Sequence, residues 1–283
     1  MHKQFICYNG EMLPSEKPVL LHTNRAFCYG DALFETIHAN GTRLQFFESH
    51  YRRLTEGMRL IGMEPESLPG KENMEAGLER LLNKNHLYNG VRIRLSVFRN
   101  SGGLYKPSDN SVSYIAETVP LQDDRYLLND KGLKAGVFSG IKKQPDKLAK
   151  LKTANSLLYI SAAIYARSEG LDDCFIQNTA DNIAEATSSN IFIVKGDTFF
   201  TPSLEEGCVA GIMREQIIRL ARGQGITCSE TAIDENDLLS ADECFLTNAV
   251  SGIRWVVAYR GKRYYSKTAR TLTRLLNQEQ FGR

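Results

Sequence analysis

Apolar residues follow a period of two in some stretches and of three to four in others, and the switches between these periods mark the expected elements. Residues 5–8 and 11–13 alternate on either side of Asn9-Gly10, a pair that tolerates positive φ at both turn positions, so the chain is expected to open with a hairpin. A second such pair, Asn40-Gly41, separates strand-like runs at 34–38 and 43–46. Helical spacing takes over at 47–60, where His50, Arg53, Leu54 and Met58 recur, and again at 72–85, stopping near Asn89-Gly90. Strands are expected at 91–98 and 111–118, joined by the glycine-rich loop 100–109. The next stretch is polar and has no period, which assigns residues 121–132 to a linker.

Beyond the linker the chain reads as short strands and tight turns. Strands are expected at 133–138, 173–177, 190–194, 198–201, 226–231, 243–247 and 253–258, with hairpin turns at Lys195-Gly196-Asp197 and Arg260-Gly261-Lys262. Helices interrupt at 155–168, 211–222 and 267–278. The expected fold class is therefore α+β in two domains: a smaller one over 1–120, with a mixed sheet and two helices, and a larger one over 133–283 built on a closed or nearly closed sheet.

Composition narrows the function classes. The 283 residues are 42% hydrophobic and 24% charged, ordinary for a globular chain large enough to bury a core without staples. A formal charge of +2 gives no reason to expect nucleic acid or a membrane surface. Cys7, Cys28, Cys174, Cys208, Cys228 and Cys244 are scattered without a CxxC pair, which suits reduced thiols, and no metal site is expected. The opening MHKQFICYNG has no signal-peptide pattern, and the longest nearly apolar run, 157–166, is too short to span a bilayer. A cytoplasmic protein is the expectation.

Four positions could carry chemistry. Lys152 precedes Thr153, Asn155 and Ser156, residue types that favour a helix start, and is expected at the mouth of a largely buried helix. The positive helix end and partial desolvation would both favour its neutral amine, the form Schiff-base chemistry requires. With Lys147 and Lys150 it could equally form a solvated basic patch. Glu185, at an expected bend before a strand, could bond a protonated ring nitrogen or cap a turn. Gly211 opens an amphipathic helix whose bare N–H groups could hold an anion or simply begin a helix. Arg53 could pair a phosphate through its forked donors or face solvent.

The order of these signals resembles the fold-type IV pyridoxal-phosphate enzymes, the class IV aminotransferases. The similarity rests on RAFCYGDALFET (25–36), HYRRL (50–54), LKTAN (151–155), AEATSSNIF (184–192), GIMRE (211–215) and DECFLTNAVSGI (242–253), in family order over most of the chain. The resemblance implies a small α/β sandwich domain and a larger pseudo-barrel domain, pyridoxal 5'-phosphate as cofactor, and a homodimer with its site between domains. It implies that Lys152 bonds the cofactor and shuttles protons, that Glu185 pairs the ring nitrogen, and that Arg53 takes the phosphate with the helix start at Gly211, Ile212 and Met213. The Ala249–Val250 segment matches a second loop near phosphate and substrate. Met213 stands where relatives often have threonine, so any hydroxyl contact is lost there.

Within the family, three features resemble 4-amino-4-deoxychorismate lyase: RNSGG (99–103), GIMR (211–214) and Thr247-Asn248-Ala249. A lyase releasing pyruvate to leave 4-aminobenzoate for folate synthesis is the expected activity. An aminotransferase of the branched-chain type, then of the D-amino-acid type, is the alternative, and an inactive cofactor-binding protein is the reading from another class. Phe34, Arg99, Tyr105, Lys106 and Asn248 are the expected substrate contacts.

Overall fold

The computed structural model describes residues 4–282; residues 1–3 and 283, included in the two expected domain ranges, lie outside it. The chain divides into two compact units, Met1–Arg125 with Lys152–Asn155, and Tyr126–Leu151 with Ser156–Arg283.

The first unit contains β1 (Phe5–Tyr8), β2 (Glu11–Pro14), α1 (Arg25–Tyr29), β3 (Ala32–Asn40), β4 (Arg43–Leu44), α2 (Phe47–Leu60), α3 (Lys71–Lys84), β5 (Gly90–Arg99) and β6 (Val112–Pro120). Its six strands run in the order β2-β1-β6-β5-β3-β4. Every pairing is antiparallel, where a mixed sheet was expected. Hairpins join β1 to β2 and β3 to β4, ties too short to bring a strand back parallel, whereas β3 reaches its neighbour β5 only through α2 and α3. The short α1 was not anticipated, although its signals are local. The Asn24 side chain accepts from the Ala26 and Phe27 amides at 2.9 and 3.3 Å, and Gly30 ends the helix at φ +68°. Period two sorts the sheet faces. Leu33, Ile37, Ile93 and Leu95 are buried with Leu54 and Met58 of α2 and with Leu78 and Leu82 of α3, whereas Phe34, Thr36, Arg92 and Arg94 alternate with them on the other face and stay partly exposed.

The second unit contains β7 (Leu133–Lys143), α4 (Leu157–Ser168), β8 (Asp173–Asn178), β9 (Ile183–Ala186), β10 (Asn190–Lys195), β11 (Thr198–Pro202), α5 (Ile212–Gly223), β12 (Cys228–Thr231), α6 (Glu235–Ser240), β13 (Glu243–Asn248), β14 (Gly252–Tyr259), β15 (Lys262–Arg263) and α7 (Lys267–Phe281). The sheet order is β12-β11-β10-β13-β14-β7-β8-β9, with β15 on β14. Its last strand, β9, turns back to lie against β10 and β11, so the sheet curls around its own core. That core holds Phe175, Ile183, Ile191, Ile193, Leu246 and Val256.

Two elements of this unit depart from the sequence reading in ways that matter for chemistry. Residues 183–186 form a strand rather than a bend, with Glu185 opposite Ile176. The helix after Lys152 begins at Leu157, and only Ala162 and Ala166 are buried in it. The expected origin of a neutral Lys152, the mouth of a buried helix, is therefore not what the fold supplies.

Candidate active site

In the first unit the buried face of β3 carries one charged residue, Glu35, between Leu33 and Ile37. The carboxylate is 2% exposed. Helix α2 answers it from His50 and Arg53, three residues apart and so on one face. Arg53 donates Nε to Oε1 at 2.8 Å and Nη2 to Oε2, a fork on a carboxylate. His50 donates Nδ1–H to Oε2 at 2.6 Å. Burial is the largest influence on Glu35 and pushes its pKa up, but Arg53 and His50 together outweigh it and hold the carboxyl at about 2. Burial is also the largest influence on His50 and draws its pKa below the ordinary value against the pull of Glu35, so the ring is neutral. Arg53 is thus locked in one orientation by a side chain the sequence reading had not used.

Lys152 lies in an extended segment that adds to β3 along the edge beyond β4. The Phe34 amide donates to the Lys152 carbonyl at 3.0 Å, and the Ala154 amide donates to the Ala32 carbonyl at 2.9 Å. Its Nζ sits 4.6 Å from the centre of the Phe34 ring. The guanidinium carbon of Arg94 lies 3.8 Å from the same ring centre. Arg94 comes from β5, where it faces Thr36 on one side and Glu117 on the other. Nothing in the sequence separates Arg94 from Arg92, Arg99 or the other arginines of this region; only the strand register does.

The residues of loop 100–109 are placed differently from expectation. Arg99 is buried, and four of its five N–H donors are engaged: Nε on Asp31 at 3.0 Å, Nη1 on the Gly62 carbonyl and Asn110, and Nη2 on the Ile61 carbonyl at 2.8 Å. Arg25, also buried, donates to the carbonyls of Gly102 and Leu104 at 3.0 and 2.6 Å. Arg25 thus pins the loop, while Arg99 ties the end of β5 to Asp31, to the end of α2 and to Asn110 just past the loop. Tyr105 and Lys106 stand exposed at its tip, with Tyr105 against Tyr29 at 5.7 Å.

In the second unit Glu185 is 3% exposed. Its Oε1 accepts from Lys143 Nζ and from the Tyr159 hydroxyl at 2.7 Å, and its Oε2 accepts the Val209 amide at 2.9 Å. Val209 leads directly into Gly211, the residue before α5, which offers no side chain to cap the first-turn amides of Ile212 and Met213. Asn190 holds the approach by donating Nδ2 to the Val209 carbonyl at 2.8 Å, and a Cβ on Gly211 would lie 1.9 Å from its Oδ1. Asn248 shapes the following loop: its Oδ1 accepts the amides of Val250 and Ser251 at 3.1 and 2.8 Å, and its Nδ2 donates to Ser189 Oγ at 3.1 Å. The Ala249 carbonyl accepts the Tyr126 hydroxyl at 3.3 Å. Lys143 and Tyr159, which bond Glu185, and Arg94, which lies over Phe34, are neighbours of the candidate residues that sequence reasoning missed. Among the described residues no His, Cys, Asp or Glu group is arranged to hold a metal.

Residues 32–259 match the model of the family described as Amino-transferase class IV. The branched-chain-amino-acid aminotransferase of Escherichia coli strain K12 is 26% identical over 98% of this chain and 92% of its own length. A Legionella pneumophila protein provisionally named 4-amino-4-deoxychorismate lyase is 26% identical, with a TM-score of 0.83 over 94% of this chain and 97% of its own. The pyridoxal-phosphate form of the branched-chain amino acid aminotransferase from Thermobaculum terrenum superposes with a TM-score of 0.86 at 21% identity, over 98% of this chain and 94% of its own, a likeness of fold.

Proposed function

The chain belongs to the class IV aminotransferase family and is a pyridoxal 5'-phosphate-dependent enzyme, and we propose that it moves an amino group between a branched-chain amino acid and a 2-oxo acid bearing a second carboxylate. The observation that carries the reading is the Phe34 ring, which has both the Lys152 amine and the Arg94 guanidinium within cation–π distance of its centre. An amine that bonds and deprotonates and a cation that receives a carboxylate are what an acidic amino-acid substrate needs.

The residues fit the cofactor. Glu185 Oε2 accepts one N–H among the described residues, leaving a lone pair for a ring nitrogen, and the start of α5 has no capping side chain to displace a phosphate. When bound, the cofactor supplies a carbonyl for covalent capture of amines and a ring that accepts electrons from the substrate carbon. Lys152 is the proposed site of covalent attachment and the acid–base group at that carbon. Glu185 holds the ring-nitrogen proton. In the first unit Arg53, fixed by Glu35, is a proposed phosphate contact; in the second, the amides of Ile212 and Met213 and the Ala249–Val250 segment are proposed for that role. Arg94 is proposed in place of Arg99 as the carboxylate contact, because the Arg99 donors are engaged by Asp31, Asn110 and the Ile61 and Gly62 carbonyls.

The purified holoenzyme tests this with leucine, glutamate and D-alanine as donors and 2-oxoglutarate as acceptor, alongside Lys152→Ala. Lysine-dependent formation of glutamate from leucine supports the proposal. Arg94→Met is expected to raise the KM for 2-oxoglutarate roughly tenfold, the scale of one charge-assisted contact, with a smaller change for a 2-oxo acid lacking the second carboxylate. The lyase reading keeps a specific support in the Legionella relative and in RNSGG. Release of pyruvate and 4-aminobenzoate from aminodeoxychorismate, without transamination, would make it the correct one.

We also propose a homodimer. Helix α4 leaves Leu157, Ile160 and Ile164 at 78, 52 and 65% exposure along one face. A second copy of the chain is the proposed cover. Ile160→Glu with Ile164→Glu should convert the dimer to a monomer in analytical ultracentrifugation; wild-type protein sedimenting as a monomer would end the idea.

A further inference from the structure

Glu185 is not alone in its pocket, and its company bears on how it would treat a ring nitrogen. Lys143 is 7% exposed, at the end of β7. Its ammonium donates to Glu185 Oε1, to the Tyr159 hydroxyl at 2.8 Å and to the Ala149 carbonyl at 3.1 Å. Tyr159 in turn donates to the same Oε1 at 2.7 Å. An ammonium has three donors, and all three have acceptors here. With its donors all engaged, Lys143 is unsuited to act as a nucleophile. Its partners come from three directions: β9, α4 and the turn after β7.

We propose that Lys143 is a positioning residue for the cofactor: it fixes the Glu185 carboxylate in one rotation and, by placing a positive charge on Oε1, weakens the hold of Oε2 on a ring-nitrogen proton. The inference rests on Glu185 facing that nitrogen, as proposed above. A carboxylate whose two oxygens have different partners is polarised toward the cation, so the oxygen left for the ring carries less than its full charge. The other ionisable groups on Glu185 are weak competitors. Tyr159 is pushed upward, by burial first and then by Glu185 itself, and remains a neutral phenol. Cys208 is pushed up to about 11, by burial first, and remains a neutral thiol. Lys143 is the cation that sets the field.

The test compares wild-type holoenzyme with Lys143→Met, Lys143→Arg and Glu185→Gln, following the visible absorption of the bound cofactor against pH. Removing a positive charge makes nearby protons bind more tightly, so the Lys143→Met midpoint should rise by about one pH unit, a tenfold change in proton affinity. Lys143→Arg should restore the wild-type midpoint. A side chain that served only packing would lower stability without moving it. An unmoved midpoint in Lys143→Met, with Glu185→Gln shifted, overturns the role of Lys143. An unmoved midpoint in Glu185→Gln overturns the placement of Glu185 and the inference with it. Should Lys143→Met lose its cofactor, urea denaturation of the cofactor-stripped proteins decides instead. The variant leaves the Glu185 carboxylate buried without its cation, so its stability relative to wild type should fall as pH rises from 5 to 8. Adding Glu185→Gln should abolish that slope; a slope that persists in the double variant counts against the pairing.

Discussion

A single residue, Glu35, organises the proposed phosphate contact of the first unit. A lone carboxylate on an apolar strand face costs several kcal/mol unless cations or donors compensate, and His50 and Arg53 do so from one face of α2. Glu35→Gln should therefore destabilise the protein by about 3 kcal/mol at pH 7, in the range for breaking a buried pair. The sign of the pH effect follows from the direction of the shift. Glu35 has a folded value lowered from 4.5 to about 2, so its contribution is present above 4.5 and is lost as pH falls toward 2. The gap between wild type and Glu35→Gln should close over that window in urea titrations. Gly211 gives a second prediction at this scale. Gly211→Ala puts a Cβ 1.9 Å from the Asn190 side chain, which the Val209 carbonyl holds in place. Cofactor retention, measured by dialysis and absorbance, should fall at least tenfold. The role of Glu35 was not legible locally, and for Gly211 the helix start was read but not its closeness to Asn190. Glu35 reads as one letter of a strand and Gly211 as a helix start, and their partners lie 15 or more positions away in the chain.

The elements were the most legible level. Helix α2 and the first hairpin fall on the expected residues, because a 3.6 period and an Asn-Gly turn are properties of short sequence. The failures have a common cause. Residues 152–155 carry helix-start residue types, yet they extend along β3 and postpone the helix to Leu157. Strand pairing across more than 100 residues overrides a weak local preference. Residues 183–186 read as a bend because their hydroxyl-rich sequel suggests a turn, but β8 recruits them as a strand. The segment at Lys152 is fastened at its far end by Asn155, whose Nδ2 donates to the Gly30 carbonyl at 3.3 Å. Gly30 has φ +68°, and a Cβ there would meet Asn155 Oδ1 at 2.5 Å. Gly30→Ala should lower stability by about 1–2 kcal/mol, the cost of a left-handed alanine plus a displaced contact. Borohydride trapping of the cofactor on Lys152 should slow in parallel if the segment's register matters. Trapping at the wild-type rate would show that Lys152 does not depend on this fastening.

At the scale of the whole molecule, the family match spans both units, and no helix among the described residues is long and apolar enough to cross a membrane. The resemblance carried by the chemistry-bearing segments was enough to identify the family and its cofactor, because those segments are short, local and kept in order. The choice between lyase and aminotransferase was not: of the three motifs that suggested a lyase, RNSGG places Arg99 where its donors are taken by Asp31 and the Ile61 and Gly62 carbonyls. The sequence by itself determined the periods, the turns, the order of the motifs and thereby the class of enzyme, all of which depend on near neighbours in the chain. Only the tertiary structure decided that Lys152 rides a strand edge beside Phe34, that Arg94 rather than Arg99 shares that ring, and that Lys143 confronts Glu185. Those are matters of sheet register and burial, where residues far apart in sequence compete for the same few hydrogen-bond partners, and no local pattern records who wins.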